Sequence, residues 1–153
     1  MIWTILILVT ALGSALVAGV FYGFSSFVMP ALARLPVAQG IAAMQAINVT
    51  AVMPGFMIGF MGTAVLCLAV LAAAFLGRAG GWAAAGALLY LVGTLGVTIV
   101  ANVPRNTLLA ALHPVAAEAA ATWAGYQSGW NLWNHVRGVA GLAGAACLIV
   151  SLL

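Results

Sequence analysis

A chain of 153 residues that is 67% hydrophobic and 3% charged cannot solvate the surface of a soluble domain, where about a quarter of residues carry charge. Four arginines (Arg34, Arg78, Arg105, Arg137) oppose one acid, Glu118, and the resulting net charge of +3 is too sparse to neutralise phosphates, which excludes nucleic acid as a partner. With a mean hydropathy of +1.27 the chain reads as an integral membrane protein.

The first span is predicted over 2–33. No Lys or Arg precedes it and the apolar run outlasts the core of a signal peptide, so it reads as a span and not a leader. Ala15, Gly19 and Gly23 recur at four-residue spacing, a pattern suited to close helix approach in lipid, and Pro30, Arg34 and Pro36 mark the end. The stretch 34–53 is too short and too mixed to cross. Gln45 and Asn48 share one face of a short helix there, at the interface or tucked against the bundle. Pro54 opens a second span, 54–76, as proline does in a first helical turn, and Gly55, Gly59 and Gly62 give it a small-residue face. A glycine-rich turn around Arg78 leads to the third span, 82–101, with Gly86, Gly93 and Gly96 on its surface.

Asn102-Val103-Pro104-Arg105-Asn106 is predicted to break that span, and His113-Pro114 to make a second break. Val115 to Ser128 reads as an Ala-rich helix with Glu118 in its first turns, followed by the fourth span, 131–153. Cys67 and Cys147 lie inside apolar runs and read as small apolar filler. The expected fold class is an all-α integral membrane protein: a single antiparallel bundle of four transmembrane helices, with short extra helices in the two long loops. Alternation puts loops 34–53 and 102–130 on one side and the termini on the other. The distinctive polar residues (Gln45, Asn48, Asn102, Arg105, Asn106, Asn134, His135, Arg137) gather on the first side, so the bundle is expected to have a mouth there. Arg34, Arg105 and Arg137 against Arg78 turn that mouth toward the cytoplasm of a bacterial-type inner or plasma membrane.

The densest polar and aromatic cluster is Trp130-Asn131-Leu132-Trp133-Asn134-His135-Val136-Arg137. On a helix, Trp123, Gln127, Trp130, Asn134 and Arg137 line one stripe, and His135 stands about 100° away from Asn134. Only sixteen residues follow Arg137, about 24 Å of helix against roughly 30 Å of hydrocarbon. To cross, the last helix must draw Arg137 toward the membrane, where a charge is costly unless it faces protein or a wet cavity. Arg137 is therefore expected inside the bundle, bonded to Asn or Gln side chains or to carbonyls near Asn102. A purely structural account makes the tryptophans an interfacial belt and the amides helix glue. His113, His135 and Glu118 show no helical metal-ligand spacing, so no metal or haem is expected, and the chain has no Asp for a nucleophile triad.

The run Asn102-Val103-Pro104-Arg105-Asn106, followed by Trp123-x-x-Tyr126-x-x-x-Trp130-x-x-Trp133-Asn134-His135-Val136-Arg137, resembles the small four-helix membrane proteins of the anthrone oxygenase family. Phe21-Tyr22-Gly23-Phe24, Val28-Met29-Pro30-Ala31-Leu32 and Met44-Gln45-x-x-Asn48 fit the same pattern, so the resemblance covers most of the chain. His113 and Arg105 depart from it. The resemblance implies oxygenation of a lipophilic aromatic, an anthrone-like carbon acid, by proton abstraction and reaction with O₂ without a cofactor. A neutral His135 would serve as general base, and Arg137, with Arg105 as a further candidate, would stabilise the enolate oxygen. Trp130 and Trp133 would wall the ring, and Gln45, Asn48, Asn102, Asn106 and Asn134 would bind substrate. His135 is expected within hydrogen-bond reach of Asn131, Asn106 or another amide, opening onto a pocket walled by tryptophan. The alternative is a non-catalytic membrane protein that binds lipid, a small hydrophobic molecule or a partner helix; a second copy of the chain stays open as a partner.

Overall fold

The computed structural model describes residues 1–153. It contains five helices and no strand: α1 (Ile2–Leu32), α2 (Val37–Ala51), α3 (Pro54–Phe75), α4 (Gly81–Ala111) and α5 (Ala119–Val150). Three of them, α1, α3 and α4, are long and apolar enough to cross a membrane, which makes this a membrane protein. Pro54 and the glycine-rich turn around Arg78 act where expected. Pro54 sits in the first turn of α3. At its other end, Gly77 takes a left-handed φ of 68° while Arg78 N–H bonds to the Ala73 carbonyl and Gly77 N–H to that of Ala74. This closing motif satisfies two terminal carbonyls and turns the chain into α4.

The four long helices pack antiparallel around a square. Gly13 of α1 lies against Thr63 of α3, and Phe21 of α1 against Phe56 near the start of α3. Tyr90 of α4 donates to the Phe60 carbonyl of α3 at 2.8 Å. Along α5, Gly144 meets Gly86 of α4, Arg137 meets Thr94, and Trp130 meets Asn102. The remaining side closes where Ser14 of α1 donates to the Gly141 carbonyl at 2.7 Å and Asn134 reaches the Phe21 carbonyl.

Two apolar cores result. The larger joins Ile7, Val17, Phe21, Phe60, Val70, Tyr90 and Leu148 through the length of the bundle. The smaller, with Met29, Ile41, Met44, Leu109, Trp123 and Trp130, sits at the α2 end. There α2 lies across the bundle, and Gln45 Nε2 donates to the Leu109 and Leu112 carbonyls at the end of α4, at 2.8 and 2.9 Å. The long connections are thus on one side, but the expected open mouth is covered: Ile41 and Met44 are fully buried beneath it.

Three expectations on the chain's course are corrected. Pro104 does not end the third long helix, because the coil widens to a π-helical turn over Thr98–Asn102, with Val103 N–H bonded to the Thr98 carbonyl. The wider turn accommodates the missing amide and the ring, so α4 runs on to Ala111. The same device precedes Pro30, where Phe24–Val28 is π-helical and Met29 N–H bonds to the Phe24 carbonyl. The loop expected over 102–130 therefore shrinks to 112–118, and α5 passes Gly129 unbroken. The small-residue faces also differ from expectation. Gly86 and Gly93 meet α5, but Gly19, Gly55, Gly59 and Gly62 have nothing within 4 Å of a virtual Cβ.

The Gly86–Gly144 contact is a backbone-to-backbone seam open to a simple test. A Cβ on Gly86 would stand 2.7 Å from the Gly144 carbonyl oxygen and 2.8 Å from Leu148 Cγ. Gly86→Ala is expected to cost about 1–3 kcal/mol by forcing two backbones apart, read as a lower melting temperature in detergent. Gly59→Ala, with open space around it, should melt like the wild type.

Candidate functional site

The site grows from one helix face. In α4, Thr94, Thr98, Asn102 and Asn106 follow one another at intervals of four, and all four meet α5. An α-helix overshoots a full turn by about 40° every four residues. The π-helical stretches Leu89–Gly96 and Thr98–Asn102 have a wider coil that turns the file back, and so keep it on one side.

Arg137 of α5 lies opposite this file and is buried, 6% exposed. Its Nε and Nη2 both donate to Asn134 Oδ1, at 3.0 and 2.8 Å, and its Nη1 donates to Thr98 Oγ1 at 3.2 Å. The guanidinium carbon sits 3.9 Å from the centroid of the Phe21 ring and 5.0 Å from that of Trp130. These two rings belong to the two apolar cores, so the cation occupies a polar layer between them. No carboxylate balances it, since Glu118 is exposed at the start of α5. Aromatic faces and amide oxygens take the place of a counter-ion, and a desolvated cation–π contact contributes about 2 kcal/mol.

Asn134 in turn is anchored to α1. Its Nδ2 donates to the Phe21 carbonyl at 2.7 Å and to Ser25 Oγ at 2.6 Å. Thr98 passes its own hydroxyl hydrogen to the Thr94 carbonyl, and Thr94 donates to the Arg137 carbonyl at 2.9 Å. Nearer α2, Asn106 Oδ1 accepts from Tyr126 OH and Trp130 Nε1, both at 2.9 Å. Tyr126 is buried, and its hydroxyl is the donor to Asn106. Asn102 Nδ2 donates to the Trp130 carbonyl at 3.1 Å, while Asn102 Oδ1 and Asn48 Nδ2 are buried without a partner.

His135 stands apart from this layer. It is exposed, makes no side-chain hydrogen bond and lines two grooves between α1 and α5. The first groove encloses about 250 Å³. Its floor is made of small residues (Ala15, Gly19, Gly138), Leu142 is at one end, and Ser25, Asn134 and His135 are at the other. The expectation that an amide holds His135 inside a tryptophan-walled pocket is therefore corrected. One step along a helix rotates the side chain by about 100°, which carries His135 off the inward stripe occupied by Asn134.

The other expected site residues divide in the same way. Asn102, Asn106, Trp130, Asn134 and Arg137 share the interior layer, while Asn48 lies on α2, half-buried with its Nδ2 enclosed. Gln45 ties α2 to α4, and Trp133 is half-buried outside the aromatic stack of Trp123, Tyr126 and Trp130. Arg105 bonds back to the Ala101 carbonyl at 2.7 Å and covers Gly129, away from Arg137. His113 is exposed in the 112–118 connection. No three His, Cys, Asp or Glu side chains converge. Sequence reasoning missed Phe21, Ser25, Thr94 and Thr98 as site residues. The four-residue file in α4 was the signal for the two threonines, and no comparable signal marked Ser25.

A model of the anthrone oxygenase family matches residues 48–147, which is most of the chain. No curated protein and no solved structure matches it.

The Arg137–Asn134 pair makes a separable prediction. Asn134→Leu strands a buried guanidinium and is expected to cost about 3 kcal/mol. Adding Arg137→Met removes the stranded charge, so the double variant should melt higher than Asn134→Leu alone. Wild-type melting of Asn134→Leu would contradict the pairing.

Proposed function

The chain belongs to the anthrone oxygenase family, and on that premise we propose that it is a membrane-embedded oxygenase acting on a lipophilic aromatic carbon acid of the anthrone type. In this reading α5 is a fourth span, and the α2 end faces the cytoplasm, with Arg34 and Arg105 on that side and Arg78 on the other. The observation that carries it is a hydrogen-bonded line from the buried cation to the groove. Arg137 donates to Asn134 Oδ1, Asn134 Nδ2 donates to Ser25 Oγ, and the Ser25 hydroxyl keeps its hydrogen for a ligand in the groove. Each donor in such a chain is strengthened by the charge behind it.

The chemistry follows from two groups on one groove. A flat ring system enters from the bilayer, over the small-residue floor between α1 and α5. His135, as a neutral imidazole, takes the acidic C–H proton, and the charge left on the substrate oxygen is met by the Ser25 hydroxyl. Electrons of the resulting anion pass to O₂ as a C–O bond forms, giving a hydroperoxide after protonation by the imidazolium. Loss of water from that hydroperoxide leaves a second ketone, so one oxygen atom ends in the quinone and the other in water. The amides Asn102 and Asn106, bonded to Trp130, shape the layer around Arg137, and like Asn48 they lie outside the groove. A non-catalytic reading draws on the same small-residue floor, which also accepts an acyl chain.

Because His135 is exposed and makes no hydrogen bond, His135→Ala tests the proposal without a folding penalty. Turnover of an anthrone by protein in nanodiscs, followed as quinone absorbance above spontaneous oxidation, should fall by about 100-fold or more with the melting temperature unchanged. Ser25→Ala is expected to lower kcat by about tenfold to 100-fold. Activity that survives in His135→Ala at wild-type stability ends the oxygenase assignment of this groove. Binding without turnover favours the non-catalytic reading.

A further inference from the structure

His135 lies where the two grooves meet. The second, of about 440 Å³, runs toward the α2 end between the last turns of α1 (Met29, Pro30) and the face of α5 that carries Gln127, Ser128 and Asn131. Gln127, Asn131 and His135 follow at steps of four, so their side chains stand in one file. Two atoms of this file are hidden from water and have no partner: Gln127 Nε2, a donor, and Asn131 Oδ1, an acceptor. Buried amide atoms are nearly always paired, and nothing nearby completes these. The Ser128 hydroxyl turns back to the Gly125 carbonyl at 3.1 Å, and Met29 and Pro30 offer no polar side-chain hydrogen.

A free donor one turn from a free acceptor is the complement of a hydroxyl group, which accepts from the first and donates to the second. Exchanging N and O on both amides leaves that complement intact. Both residues line the groove, so rotation of the side chains alone brings the amides to a bound group. On the far side of His135 the groove is lined mainly by apolar and small residues, with Tyr22, Ser25 and Asn134 as its polar side chains. The two grooves together thus present an apolar floor, a reacting position and a polar end.

We propose that Gln127 and Asn131 form a hydroxyl-recognising subsite, contiguous at His135 with the apolar groove, and that the ligand is an amphiphilic aromatic with a hydroxyl at the end nearest α2. The choice of an aromatic ring rests on the oxygenase reading; the hydroxyl rests on the two unpaired amide atoms.

Anthraquinone and its monohydroxylated derivative are the probes, bound to the protein in nanodiscs and followed by quenching of tryptophan fluorescence, with empty nanodiscs as the partition blank. The wild type should bind the hydroxylated probe about tenfold more tightly. In Gln127→Leu and in Asn131→Leu that ratio should fall toward one. Melting temperatures should stay at or above wild type, because neither free atom holds an existing bond. Equal affinity for the two probes in the wild type overturns the subsite, as does a preference that survives both substitutions. So does a failure of both probes to bind, and equal affinity is also the result expected if water alone fills the subsite. Binding does not depend on turnover. A protein that keeps the preference but oxidises no anthrone therefore retires the oxygenase reading and leaves the subsite standing.

Discussion

A guanidinium buried without a carboxylate sets the terms for the whole bundle. Arg137 cannot be left unpaired between two apolar cores, because an unsatisfied charge there costs several kcal/mol. Its needs are met by groups on three helices: Asn134 on its own helix, Thr98 on α4 and the Phe21 ring on α1. Asn134 satisfies the cation with its oxygen and is held by α1 through its nitrogen. The depth of α5 relative to α1 and α4 is thereby fixed at one layer, and the apolar packing on either side follows from it.

The same layer is tied by side-chain donors to carbonyls of α5. Ser14, Thr94 and Asn102 donate to Gly141, Arg137 and Trp130, three points along one face of that helix. In lipid, apolar surface alone does little to drive helices together, so such bonds and close backbone packing do the joining. Close packing appears at the other end of the same seam, where Gly86 and Gly144 bring α4 and α5 into backbone contact. Polar ties near the α2 end and glycine contacts near the other hold the helices over their length.

Much of this is legible in the sequence, and the exceptions have physical causes. The inward position of Arg137 is legible because a lone cation beside a long apolar run is costly unless it meets protein. The antiparallel order of the long helices follows from where the loops fall. Pro104 misleads because the proline rule describes a regular α-helix, and a π-helical turn absorbs what that helix could not. With the helix taken to end there, Asn102 and Asn106 look like loop residues, and their phase with Thr94 and Thr98 is lost. The cover over the mouth is not legible from α2 itself, since Gln45 bonds to carbonyls 64 and 67 residues away. His135 and Asn134 are adjacent in sequence and face different surroundings, a distinction that only the actual rotation of α5 resolves.

The glycines that make no contact explain why the groove is lateral. Small residues in a membrane helix suit close approach, but a small residue that meets no neighbour leaves a hollow instead. Gly19 belongs to this second kind: nothing lies within 4 Å of its virtual Cβ, and it floors the groove beneath His135. Gly141, one turn beyond Gly138 on α5, belongs to the first, with Ala18 and Thr94 close against it. The α1–α5 pair is therefore closed on its inner side and open on its outer side. The inner side holds the cation in a hydrogen-bonded layer, and the outer side presents His135 free of any bond. A bonded cation inside and an unbonded imidazole outside, with the Asn134–Ser25 hydrogen bond between the inner layer and the groove, separate the fixed part of this helix pair from its open face.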